Sequence, residues 1–394
     1  MDKTQVRRVN LHGMALQFAF WFGCCTYIGF FVSTLIYYGW EAGTAALVVM
    51  TMSVMVMFTE PLYGYVSDRL GSEKRICVVL LLTSAACVFV FPFALESGNM
   101  AFVVMVFAGF GFSCMQIAGL MDAWIVGLKQ ENEAVNYGLI RGTGAGAFAL
   151  SAQVSGMVTA SFGHEARLWM GGVFFLLGAV AAITFRPSKR EVRRGEIRGL
   201  SVVRTIFSSK RYCLLLATAF FLFLSNAPML TLLQLLIPEF GGTTAQIGTA
   251  IAMMAVTEVP FMFMTAFLIR KAGYQRLFVM CGAFWVVRLV LTLYVGSVNG
   301  LIAVQMLQGL TFAVAIPVAM SYLAKVVDEK VRSTAVTIFS VFMFSIPGIL
   351  ANLITSAWIS AGNSAQSVLV FFVASAFVGL GLAVFGWISG IWGE

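Results

Sequence analysis

The sequence predicts an all-α membrane protein of twelve transmembrane helices, built as two pseudo-symmetric bundles of six. Three observations predict it. Of 394 residues, 60% are hydrophobic and only 11% charged, where a soluble domain carries about 45–50% and about 25%. The apolar runs, such as 78–95 and 168–185, are continuous and long enough for a helix to cross about 30 Å of hydrocarbon. Barrel strands would instead alternate apolar and polar residues over about ten positions. Finally, Lys and Arg gather in every second loop, the pattern of cytoplasmic loops.

The first span, 12–38, follows Arg7 and Arg8. It is too long for a signal-peptide core and lacks a small-residue cleavage site, so it is expected to stay and act as the insertion signal. The second span, 42–66, carries Thr59, Glu60 and Pro61, and the third, 76–95, is almost purely apolar. The fourth, 99–128, opens on Asn99. The fifth, 137–161, carries Gly142, Gly144 and Gly146 just after Arg141. Close helix packing explains these glycines. A phosphate loop does not, because no strand precedes them and no Lys-Ser/Thr follows. The sixth span is 168–185.

Residues 186–211 form the longest polar stretch, and nine of them are Lys or Arg. That composition suits a tether between halves and an anchor on anionic lipid. Six spans follow, at 212–237, 245–269, 275–297, 299–325, 333–359 and 365–391. The expected domains are therefore 1–185, the basic linker 186–211, and 212–394. The halves echo each other. Asn99 and Gly109 return as Asn299 and Gly309, and Thr59-Glu60-Pro61 returns as Thr257-Glu258-Val259-Pro260. Repeats of this kind are how many carriers build a midplane site.

The net charge of +8 raises nucleic acid as a partner, but the placement of the charge excludes it. Lys3, Arg7 and Arg8; Arg69, Lys74 and Arg75; Lys129; the 186–211 stretch; Arg270, Lys271 and Arg276; and Lys325, Lys330 and Arg332 occupy alternate loops. The intervening loops hold only Arg167. Both termini are then expected in the cytoplasm. The seven cysteines lie in or beside apolar runs, and the two histidines, His12 and His164, stand near helix ends. The cysteines read as buried small side chains, and no metal site is expected. No nucleophile–base pair or cofactor motif marks an enzyme.

Five ionisable residues fall inside the spans: Glu60, Asp122, Arg141, Glu258 and Arg288. Each costs about 2.5–3.5 kcal/mol to insert, so such residues are kept for a reason. Asp122 and Arg141 are equidistant from the turn at 131–132, each about 14 Å from it at the helical rise, and so lie level on adjacent helices. Glu258 and Arg288 are symmetric about Gly273, each about 22 Å in. The position level with Glu60 on the third helix is near Thr83. Three carboxylates face two guanidiniums, which leaves a carboxyl able to load and release a proton, since burial favours its neutral form. Trp21, Tyr27 and Phe148 are candidates to stack on a ring-shaped solute. Gln116, Gln153, Asn226, Gln234, Gln305, Gln308 and Asn352 are polar residues that serve either a cavity or interhelical hydrogen bonds.

Residues 64–75, with Gly64, Asp68, Arg69, Gly71, Lys74 and Arg75, resemble the signature loop of the major facilitator superfamily. Glu73 departs from it, standing where a basic residue is usual. The segments PLYGYVSDRLG (61–71) and YGLIR (137–141), with Asp122, Glu258 and Arg288, resemble the lactose permease branch. That branch holds oligosaccharide–proton symporters and related nucleoside and phenylpropionate carriers. The resemblance implies a major facilitator fold and alternating access. It implies that Asp122 and Arg141 hold the solute, that Glu258 contacts it, that Arg288 serves proton movement and that Phe148 stacks on it. It implies that the 64–75 loop latches the cytoplasmic side. The tenth-helix Lys, His and Glu of that branch are absent, for 309–317 is apolar; the seventh-helix acids are replaced by Asn226 and Gln234.

The expectation is a secondary transporter of the bacterial inner membrane. It would take up a small polar or amphipathic solute such as a sugar with a proton. Its substrate residues would be Asp122, Arg141, Glu258, Arg288, Phe148, Trp21, Tyr27 and Asn226, and its proton carrier Glu258, then Glu60. No cofactor beyond the proton, no nucleic acid, and a monomer in the lipid bilayer are expected. A drug or metabolite exporter of the same fold and a non-transporting receptor are the alternatives.

Overall fold

The computed structural model describes residues 3–70, 72–186, 200–328 and 331–393. These residues are helical nearly throughout. In chain order the helices are α1 (Lys3–Ile28), α2 (Phe31–Tyr37), α3 (Ala42–Leu70), α4 (Glu73–Glu96), α5 (Met100–Glu131), α6 (Tyr137–Thr184), α7 (Leu200–Phe207) and α8 (Lys210–Asn226). They continue as α9 (Met229–Glu239), α10 (Thr244–Tyr294), α11 (Val298–Gln305), α12 (Phe312–Val326), α13 (Arg332–Ser340), α14 (Ile346–Ser360) and α15 (Leu369–Ile388). Most of the expected linker, 187–199, lies outside the described residues.

Among the described residues, nine helical stretches are long and apolar enough to cross a bilayer, and the bent pair α1–α2 makes a tenth. Two of these, α6 and α10, run for 48 and 51 residues. At the helical rise each is over 70 Å long, roughly twice the hydrocarbon thickness. Both break at one glycine with positive φ, Gly163 at 87° and Gly273 at 73°, a region closed to most side chains. Counting each as two spans takes ten to twelve, in accord with the expected number. Gly273 is the turn expected from the spacing of Glu258 and Arg288.

Local chemistry sets the helix starts. Asn99 accepts from Ala101 and Phe102 backbone N–H groups, Asn136 from Leu139, and Ser209 from Tyr212. The repeat of Asn99 differs here, because Ser297 caps α11 by accepting from Gly300 and Asn299 falls inside the helix. Two spans are irregular at depth. A 3₁₀ turn at Met306–Leu310 separates α11 from α12, and a π turn at Val341–Ser345 separates α13 from α14.

The chain divides into two compact units. One is Met1–Glu41, Val54–Gly195 and Thr243–Ala252; the other is Ala42–Ser53, Glu196–Gly242 and Met253–Glu394. In the first unit α1 lies along α6, and Tyr27 sits in an aromatic core with Phe31, Phe91, Phe107 and Phe110. The second unit is centred on Phe223 with Trp285, Phe312 and Phe344, and α8 packs on α15. Large apolar side chains such as Val79, Phe93, Met105, Val180 and Phe377 point outward, as a lipid-facing surface requires.

Arg167 corrects the sequence reading. The charge pattern puts it in a loop, yet it is fully buried. Its guanidinium donates to the Thr26 carbonyl at the end of α1 and to Thr34 Oγ1 on α2, and it lies over the Phe30 ring at 5.2 Å. The first span bends by 40° between α1 and α2, and Arg167 bonds to both pieces. The chain breaks at Gly163 alone, so the helix resumes before position 168 and carries Arg167 inward.

Candidate functional site

In the first unit, α1, α5 and α6 bring together four of the expected residues. The Arg141 Nε lies 3.6 Å from Asp122 Oδ2, with the two side chains 34% and 32% exposed. That exposure matters, since it leaves both charges reachable by water or a solute. Gln17 is buried and donates to Asp122 Oδ1 at 3.3 Å, while its carbonyl accepts from the Trp21 indole at 2.9 Å. An indole only donates and an ionised carboxylate only accepts, so the Gln17 amide has one orientation that satisfies both. Tyr137 also hydrogen-bonds Asp122.

The indole of Trp21 in turn lies under Arg141, whose Cζ is 4.9 Å from the ring centroid. Phe148 meets Trp21 edge-on at 6.0 Å. Helix periodicity explains the cluster. Gln17 and Trp21 are four residues apart on α1, and Arg141, Gly144 and Phe148 share a face of α6. Gly144 leaves room for the indole: a Cβ there would press on the Trp21 ring and lie 2.9 Å from Gln17 Oε1. Gly146, by contrast, faces open space.

Tyr27 is not part of this arrangement. Its ring and hydroxyl are buried in the aromatic core, so the expectation that it lines the solute site is corrected. Glu60 stands half-buried on α3. Beside it, Thr59 Oγ1 accepts from Gln116 at 2.6 Å.

The second unit holds the other charged set. Arg288, on the later arm of α10, is fully buried. It donates to Asn226 Oδ1 at 2.9 Å, to Gln305 Oε1 at 2.7 Å and to Gln308 Oε1. Gln308 then donates through Nε2 to Glu258 Oε1 at 3.1 Å. The expected level placement of Glu258 and Arg288 is accompanied by a carboxamide standing between them. Sequence reasoning named Gln305 and Gln308 without giving them this place. Their spacing of three residues, next to a buried arginine, was the available signal. Gln17 was missed altogether.

Of the expected gate residues, Gly71 lies outside the described residues, as do the side-chain positions of Gly64, Asp68 and Arg69. Lys74 does appear, with Nζ donating to the carbonyls of Ile183 at 2.6 Å and Phe185 at 2.9 Å. It therefore closes the C-terminus of α6, where a cation is favoured. Arg75 is exposed, its backbone N–H capped by Ser72. Glu73 is buried in the first turn of α4, a position where a helix favours an acid. Among the described residues no group of His, Cys, Asp or Glu is arranged to hold a metal ion.

Comparison with known proteins agrees with this architecture. The chain is 28% identical over 293 residues to the maltose permease of Geobacillus stearothermophilus, covering 73% of this chain and 71% of that one. It is 25% identical over 321 residues to the raffinose permease of Escherichia coli, covering 76% and 74%. Its fold matches the crystal structure of the nucleoside transporter NupG with a TM-score of 0.79 at 15% identity, covering 97% and 99%. The profile of the MFS_1 like family matches residues 14–371. Because that match takes in nearly the whole helical chain, the protein belongs to the MFS_1 like family and is a multi-pass membrane transporter of the major facilitator superfamily, not an enzyme.

Proposed function

We propose that this transporter takes up a small polar or amphipathic solute, a sugar first among them, together with a proton by alternating access. The observation that carries the reading is the partly exposed Asp122–Arg141 pair, with Arg141 seated on Trp21. A carboxylate accepts from hydroxyl groups, a guanidinium offers several N–H donors, and an indole face suits the C–H face of a sugar ring. The maltose and raffinose permeases among its relatives support a sugar. Glu258 is the first choice for the proton and Glu60 the second, with no other cofactor. Asn226 and Arg288 belong to the same reading through their hydrogen bond. The alternation of basic loops supports cytoplasmic termini in a bacterial inner membrane, where the chain would act as a monomer.

The test is uptake by purified protein in proteoliposomes, using radiolabelled maltose and raffinose with uridine for comparison. An inward proton gradient should drive accumulation beyond equilibration, with alkalinisation outside, and a protonophore should abolish both. Glu258→Gln should lose accumulation and keep exchange. If Glu258→Gln accumulates normally, Glu258 does not carry the proton. Solute-driven proton movement in the opposite sense would establish an exporter, and no flux of any solute would leave the receptor.

A further inference from the structure

Arg288 is a buried cation that donates to three neutral amide oxygens, those of Asn226, Gln305 and Gln308. Neutral partners hold a guanidinium in place whatever the charge on a neighbouring acid. One of the three goes on to an acid: the Nε2 of Gln308 reaches Glu258 at 3.1 Å. The orientation of that amide is fixed by chemistry. Arginine has donors alone, so the oxygen of Gln308 must face it, and the NH₂ group is left for the carboxylate.

The backbone is built around this contact. Gln305 ends α11, and Gln308 lies in the 3₁₀ turn Met306–Leu310. In a 3₁₀ turn residues three apart eclipse, which brings both amides onto Arg288. The next residue, Gly309, has no side chain, and a Cβ there would collide with the Thr257 carbonyl and the Phe261 ring. The interruption of the tenth span is thus pressed against α10 beside Glu258. An interruption at this depth is tolerated where it lines a functional centre.

We propose that Gln308 is a positioning residue that ties Glu258 to Arg288, so that proton exchange at Glu258 is passed to the break in the tenth span. This rests on the reading of Glu258 as proton carrier. An ionised Glu258 accepts from the Gln308 NH₂ group. A proton taken from water onto the carboxylate weakens that hydrogen bond, while Asn226 and Gln305 keep Arg288 in place. The proton leaves again to water on the other side, and no bond in the solute is made or broken. The part of the network that changes is the tie between α10 and the 3₁₀ turn.

The experiment compares Gln308→Leu, Gln308→Asn and Gln305→Leu with the wild type and Glu258→Gln in proteoliposomes, using radiolabelled maltose. Two readouts are taken: accumulation driven by a proton gradient, and proton-independent exchange of maltose across the bilayer. Both Gln308 variants should lose accumulation while exchange stays within about twofold of wild type, the margin of a typical neutral substitution. Gln305→Leu, which removes one holder of Arg288 but leaves the Glu258 contact alone, should lower accumulation less than either Gln308 variant. Should Gln308→Leu fail to insert, Gln308→Asn decides, because its amide is one methylene short of spanning both partners. Normal accumulation by either inserted Gln308 variant overturns the proposal, and so does loss of exchange in both. Normal accumulation by Glu258→Gln overturns the proton-carrier reading instead.

Discussion

The guanidinium of Arg141 rests on the indole of Trp21, 4.9 Å from Cζ to ring centroid, while the same indole N–H holds Gln17 against Asp122. One side chain therefore orders both members of the partly exposed ion pair. An aromatic under a cation contributes about 0.5–2 kcal/mol, more as water is excluded.

Trp21→Ala removes the platform and the Gln17 tether together. Trp21→Phe retains a ring but cannot bond Gln17. The half-saturation concentration for maltose exchange should rise roughly tenfold in Trp21→Ala, the equivalent of about 1.4 kcal/mol, and less in Trp21→Phe. Initial exchange rates across a concentration series measure this. Equal half-saturation in all three proteins would remove Trp21 from the solute site.

The Asp122–Arg141 pair separates a binding role from a stabilising one. Both side chains are about one-third exposed, so water screens their attraction and the pair adds about 1 kcal/mol or less to folding. Asp122→Asn and Arg141→Gln should each leave thermal unfolding in detergent nearly unchanged and abolish maltose binding. A large loss of stability with binding intact would make the pair a structural contact.

The sequence revealed depth along the helices far better than rotation about them. Residue counts from Gly273 and from the 131–132 turn placed Glu258 level with Arg288 and Asp122 level with Arg141, because a helix rises by a fixed amount per residue. Which way a side chain faces needs a partner to point at. Trp21 and Tyr27 are six residues apart, about 240° around α1 at 100° per residue. One therefore meets Asp122 and Arg141, and the other is packed into the core. Gln17 escaped notice because a neutral amide carries no insertion cost that demands explanation, although it lies one turn from Trp21. Arg167 reads as a loop residue because it stands in the polar stretch Gly163-His164-Glu165-Ala166-Arg167, whereas the chain reverses at Gly163 alone and Arg167 already belongs to the following helical arm.

The glycines of the fifth span give a paired test, since spacing alone treats them alike. A Cβ at position 144 meets the Trp21 indole and Gln17, whereas at 146 it meets nothing within 4 Å. Gly144→Ala should displace Trp21 and weaken maltose exchange severalfold. Gly146→Ala should be neutral within about 0.5 kcal/mol in unfolding and leave exchange as in the wild type. Equal effects at both positions would show that helix packing, not the posture of Trp21, is what the fifth span protects.

Lys74 poses a choice between latch and cap. It stands in the 64–75 segment that resembles a cytoplasmic gate, yet its ammonium donates to the Ile183 and Phe185 carbonyls, which close α6 within the same unit. A cation at a helix C-terminus contributes about 0.3–1 kcal/mol when exposed and up to about 2 kcal/mol when partly buried. Lys74→Met keeps the apolar stem and removes only the charge and its two bonds. If capping is its main work, the variant should unfold at a lower temperature in detergent while maltose turnover per folded molecule stays at the wild-type rate. If the ammonium also latches a closed state, turnover should change with little loss of stability. Arg75, exposed and without a part in the α6 cap, serves as the comparison: Arg75→Met should leave the unfolding temperature where it was.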